Sequence, residues 1–123
     1  MAKSASDAVL DGTLDIIATG TLLTVCSAEP TTYTEAATTY KLADVVLDSG
    51  DFTKANGDTS GRKVTIAQQA AIPIDSSGTA THIAIATTSG SLLRIVTTCT
   101  SQALTAGGTV TVPAFDFEIA DPS

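Results

Sequence analysis

Any chemistry this chain performs must be built from one histidine, two cysteines and 13 acidic side chains. His82 lies in Thr81-His82-Ile83-Ala84-Ile85-Ala86-Thr87, where alternation puts His82, Ala84 and Ala86 on one face and Ile83 and Ile85 on the other. A general base needs a positioned partner and a nucleophile, and no residue pattern points one at His82. It reads as an ordinary surface histidine, on a face turned to solvent or to a subunit contact.

Asp44, Asp48 and Asp51 form the densest acidic cluster and offer oxygen ligands to calcium. They lack the alternating Asp spacing, the glycine and the closing Glu of an EF-hand loop, so a solvated acidic face is the reading. Asn56-Gly57-Asp58 also carries oxygen donors, but the same residues are good turn formers. Gly107-Gly108 and the Gly57–Gly61 stretch carry neither a Gly-Lys-Ser nor a Gly-x-Gly-x-x-Gly arrangement, so nucleotide binding has no support. Arg62-Lys63 is the only adjacent basic pair, a small contact for an acidic protein surface or simply a solubilising pair. Tyr33, Tyr40 and the phenylalanines are too scattered to make a stacking platform, and Phe115 and Phe117 read as core. Cys26 and Cys99 lack the close pairing of zinc sites and read as buried free thiols. No catalytic, cofactor-binding or metal-binding residue is named.

The elements that would position these groups follow from composition and pattern. A chain of 123 residues fits a single domain. Thr and Ala supply about a third of it, and β-branched Thr favours strands. With 43% apolar residues, 4% aromatics and no Trp, the core must be Val, Ile, Leu and Ala. A net charge of −7 argues against direct nucleic-acid contact, which needs clustered Lys and Arg. No apolar run is long enough to span a membrane and no signal core follows Met1, so synthesis and retention in the cytoplasm are expected.

Ser6 is a good N-cap, Asp7 suits the positive helix end, and Leu10, Leu14 and Ile17 recur at helical spacing with Val9 and Ile16 bordering the stripe. A helix over residues 6–18 is predicted, ended by Gly20. Leu22–Cys26 is a buried strand, Glu29–Tyr33 a loop around Pro30, Glu35–Tyr40 a short helical turn and Leu42–Asp48 a strand. Ser49–Asp51 is a turn, residues 54–61 an exposed mobile loop, and Arg62–Ala67 a strand. Turns at Ser76–Gly78 and Thr88–Gly90 frame a meander through residues 81–87 and Ser91–Cys99. After Ala106–Gly108 come Thr109–Val112, an interruption at Pro113, and a terminal strand. In that strand Phe115, Phe117 and Ile119 alternate with Asp116 and Glu118, whose charges discourage edge pairing. About six to eight short strands and one N-terminal helix predict a mainly β fold, an antiparallel β-sandwich or flattened barrel. No internal repeat is visible.

Three stretches, Ser6–Asp11, Leu23–Ala36 and Leu104–Asp116, together with Gly61–Val64 and Gly78–His82, resemble a recurring small structural protein of tailed bacteriophages. The most specific block is Cys26-Ser27-Ala28-Glu29-Pro30-Thr31-Thr32-Tyr33. The resemblance implies a non-enzymatic virion component with no catalytic residues to carry over. A capsid decoration or cement protein is the first expectation, binding the major capsid protein or other virion proteins as a homo-oligomer, a trimer. A tail-, neck- or fibre-associated protein is the second, and a carbohydrate-binding adhesion module the third. The segment before Ser6 and the 54–61 loop are the expected arms toward a neighbour. A fimbrial subunit shares the composition but needs export and a disulfide.

Overall fold

The computed structural model describes residues 6–58 and 61–119. Helix α1 (Asp7–Ile17) starts where Ser6 turns extended, and its hydroxyl accepts the Val9 amide at 3.3 Å. Among the described residues nine strands follow: β1 (Leu22–Cys26), β2 (Lys41–Val46), β3 (Phe52–Asn56), β4 (Arg62–Ile66), β5 (Gln69–Pro73), β6 (Gly78–Thr87), β7 (Leu92–Leu104), β8 (Thr109–Val112) and β9 (Phe115–Ile119). They form three antiparallel sheets, ordered β2-β1-β6-β7, β3-β4-β9 and β5-β8. The sheets pack together without closing a barrel, which decides between the two predicted architectures for packed sheets.

One apolar cluster joins every layer. Leu14 and Ile17 of α1 meet Leu23 and Val25 of β1, Val64 and Ile66 of β4, Ile83 and Ile85 of β6, and Val110 and Val112 of β8. Burying each large aliphatic side chain contributes roughly 1.5–3 kcal/mol. Phe52, Phe115 and Phe117 pack half-buried at its margin, as the alternation in β9 predicts for the latter two.

All five residues of β1 are buried. Leu23 and Val25 face the core, while Leu22, Thr24 and Cys26 share the opposite face with their register partners Ala86, Ala84 and His82. The segment from Ser27 to Tyr40, including a π-helical turn at Glu35–Thr39, covers that second face through its wholly buried Ala36. Ala84 and Ala86 are therefore buried, which corrects the expectation of a solvent or subunit face there. Alanine is too weakly apolar for alternation with Ile to reveal a second covered face.

Other departures have local causes. Lys54, Ala55 and Asn56 belong to β3, paired with Val64, Lys63 and Arg62 of β4, so the predicted 54–61 loop shrinks; its residues 59–60 lie outside the described residues, as does the segment before Ser6. Polar residues on a half-exposed strand look like loop until the partner strand supplies the ladder. Strand β5 carried no alternation, because Pro73 and the positive φ of 54° at Ala71 break it. The predicted Leu42–Asp48 strand ends at Val46, and Asp48 instead caps the 3₁₀ turn Ser49–Asp51. Val9 and Ile16 do not join the buried stripe of α1; they are 64% and 52% exposed.

Helix α1 ends at Ile17 with Ala18 as its C-cap, which corrects the expectation that Gly20 ends it; glycine stands at 20 for a packing reason. A Cβ there would sit 2.5 Å from Ile85 Cγ2 and 3.1 Å from the Ile17 carbonyl oxygen. Ile85 is wholly buried and cannot yield. Gly20→Ala is accordingly expected to lower the unfolding free energy by about 1–3 kcal/mol, read from the urea midpoint; an unchanged midpoint would show that Ile85 has room to move.

Candidate functional site

Strands β6 and β7 are paired over their length, yet β6 has 10 residues and β7 has 13. The register locates the surplus. Ile85 pairs with Ile95 and Ala86 with Leu93, leaving Arg94 as an extra residue; His82 pairs with Thr98 and Ala80 with Gln102, leaving two more. Such bulges bend a strand away from its partner. Beside the second bulge a cleft of about 380 Å³ opens between β7 and the β8-Pro113-Ala114-β9 corner. Val25, Ile83, Val112 and Phe115 make its apolar lining, and Thr98, Thr100 and Gln102 bring polar groups to it.

The lining carries one thiol, Cys99, and one carboxyl, Asp116. Burial pushes the Cys99 thiol above its ordinary value, which lowers its thiolate fraction and its nucleophilicity. Asp116 accepts a hydrogen bond from the Thr65 hydroxyl at 2.6 Å and pairs with Lys63 at 3.4 Å. The Thr65 bond, aided by Lys63, holds its carboxyl below the ordinary range. The cleft thus combines an apolar floor with hydroxyl-bearing walls.

Both cysteines are free, but only Cys26 is fully buried; Cys99 is half-buried at the cleft, a correction to the expectation of two buried thiols. Cys26 sits under the Ser27–Tyr40 cover, where its sulfur lies 3.4 Å from Thr24 Oγ1 and donates to the Ala36 carbonyl at 3.7 Å. Burial raises its pKa as well.

The other sequence candidates are not brought together. His82 is half-buried, its Nδ1 2.8 Å from Thr81 Oγ1. Asp44 pairs with Lys41, whereas Asp48 and Asp51 form a capping box at the N-terminal end of one turn, Asp48 accepting from the Gly50 amide and Asp51 from the Asp48 amide. Asn56 accepts from Arg62, and Asp58 pairs with Lys63. Among the described residues no three His, Cys, Asp or Glu side chains are grouped to hold a metal ion. The Arg62-Lys63 pair is engaged within the chain: Arg62 grips Asp11 of α1 at 2.8 and 3.3 Å, and Lys63 bridges Asp58 and Asp116. The cleft itself had no sequence signal, because the surplus in β7 is visible only against the length of β6.

Comparison with family models, with curated proteins and with solved structures finds no match for this chain.

Two outcomes follow from this geometry. In the native protein, iodoacetamide should alkylate Cys99 ahead of Cys26, with Cys26 reacting only on unfolding; equal rates, read by peptide mass spectrometry, would contradict the burial of Cys26. The second concerns acid. The Arg62 hydrogen bond, with further attraction from Arg62 and Lys54, holds the Asp11 carboxyl below its ordinary 3.8, and Thr31 does the same for Glu35, ordinarily 4.5. Depressed folded-state values mean stability that is present at neutral pH and lost progressively below about pH 4. Asp11→Asn should therefore reduce stability at pH 7 and narrow the gap between urea midpoints at pH 7 and pH 3. A gap as wide as that of the parent chain would remove Asp11 from the acid response.

Proposed function

We propose that this chain is a non-enzymatic structural protein of a tailed-phage virion, acting as a decoration or cement protein on the head shell. The observation that carries the reading is the sequence resemblance centred on Cys26–Tyr33. That block has an architectural job in this fold. Pro30 is fully buried, the Thr31 amide and hydroxyl both donate to Glu35 Oε1 at 2.8 Å, and the Thr32 hydroxyl accepts the Glu35 amide at 3.1 Å. A block that fastens a cover onto a sheet serves a protein whose work is to stay rigid under load.

On this reading the mechanism is mechanical. Each copy buries a surface patch against the shell lattice, and many weak contacts repeated over the lattice add up to strong retention. The acidic surface keeps unassembled copies dispersed.

Quantitative mass spectrometry of purified particles tests the proposal. A copy number comparable to that of the major capsid protein, or a simple fraction of it, is the expected result. A handful of copies per particle would move the protein to the tail, neck or fibres, and absence from particles would overturn the virion reading.

A further inference from the structure

Strands β7 and β8 follow one another in the chain across a short turn at residues 105–108, and antiparallel neighbours so joined ordinarily pair as a hairpin. These two do not pair. β7 is bonded to β6 alone and β8 to β5 alone, so each keeps one edge of backbone N–H and C=O groups outside any ladder. The turn is anchored elsewhere: the Gly107 amide donates to the Ile74 carbonyl and the Ile74 amide to the Gly108 carbonyl, both at 3.0 Å, and the Ala106 amide donates to Ser77 Oγ at 2.9 Å. The fold itself therefore holds the two strands apart.

The 380 Å³ cleft lies in that gap, and its walls run along strand edges. Side chains on a strand alternate between faces, so a hollow on one face touches every second residue. This one touches Thr97, Thr98, Cys99 and Thr100 in succession on one wall and residues 110–116 without a break on the other. Residues 97–102 offer about 17 Å of edge, the length of roughly five or six extended residues. Ile74, just after β5, bridges Ala43 of β2. The order β7-β6-β1-β2 thus continues through that bridge into β5-β8, a ring of six strands with its break between β8 and β7.

We propose that this break receives one extended, basic segment of a different protein, which adds to the free edge of β7 by backbone hydrogen bonding. The site dictates the chemistry of its occupant. A row of free N–H and C=O groups is complemented by another extended backbone. The floor of Val25 and Ile83 is apolar, so every second residue of the segment is a Val- or Ile-sized apolar group. Residues 95–103 and 109–112 are uncharged, the one carboxyl of the lining is Asp116, and the chain carries −7. An acidic segment, a second copy included, is repelled and a basic one is drawn in. Edge strands elsewhere carry charge, Lys54 on β3 and Glu118 on β9, which discourages such additions there. The interaction does not rest on the virion reading.

Titration of the full chain with the synthetic peptide Lys-Thr-Val-Thr-Val-Thr-Lys, blocked at both ends and followed by nuclear magnetic resonance, tests the proposal. Saturable shifts and slowed hydrogen exchange are expected at the amides of residues 97–102, and the bound peptide should slow iodoacetamide alkylation of Cys99 about tenfold by closing access to it. Methylating alternate peptide nitrogens removes the donors an edge requires and should weaken binding about tenfold in at least one of the two phases. Replacing both Lys by Glu should also weaken it. No binding at millimolar peptide, binding that leaves the 97–102 amides unmoved, or equal affinity for the methylated or Glu-bearing peptides would overturn the proposal. So would protection of the same amides on raising the protein concentration without peptide, which would put a second copy in the break. Particle copy number bears on the virion reading alone, so the two can fail separately.

Discussion

Everything in this fold hangs on strand β1 being covered on both faces. A strand of five consecutive buried residues cannot lie at a surface, so one layer must pack on Leu23 and Val25 and a second on Leu22, Thr24 and Cys26. The main core supplies the first layer and the Ser27–Tyr40 cover the second. Burying Thr24 and Cys26 carries a desolvation cost, offset because hydroxyl, thiol and the Ala36 carbonyl satisfy one another. Among the described residues no buried side-chain nitrogen or oxygen is left without a partner.

The same economy governs the charges. Basic side chains are few, and Lys41, Lys54, Arg62 and Lys63 are each spent on a carboxylate of another element or of the same strand. Arg62 and Lys54 tie α1 to the three-stranded sheet at positions flanking the apolar contact of Leu14. Exposed pairs of this kind add little stability each, but they set the orientation of the helix on the sheet. The surplus acid stays on the surface. The cleft beside β7 arises differently, from backbone count alone: extra residues on one strand of a pair must bulge, and the bulge holds the two sheets apart at one corner.

Much of the element order was legible in the residues. Ser6 with its helical stripe marked α1, the apolar run at Leu22–Cys26 marked β1, and Phe115, Phe117 and Ile119 marked the half-buried β9, because each signal lies within one element and depends only on its own period. The candidate site was not legible. The thiol at the cleft, the cage of ion pairs around Arg62 and Lys63, and the separation of Asp44 from the Asp48–Asp51 turn all depend on which strands become neighbours.

By itself, then, the sequence determined the class of the fold, the helix and its cap, most strand positions and an Ile, Val, Leu and Ala interior, since local period and side-chain volume are properties of the chain. Tertiary structure alone decided that the face of His82, Ala84 and Ala86 would be covered, that Lys54–Asn56 would be strand, that β7 would bulge, and that Val9 and Ile16 would stay outside. The reason is physical: a periodic pattern says which residues share a face, but only the packing of one element on another says what, if anything, lies against it.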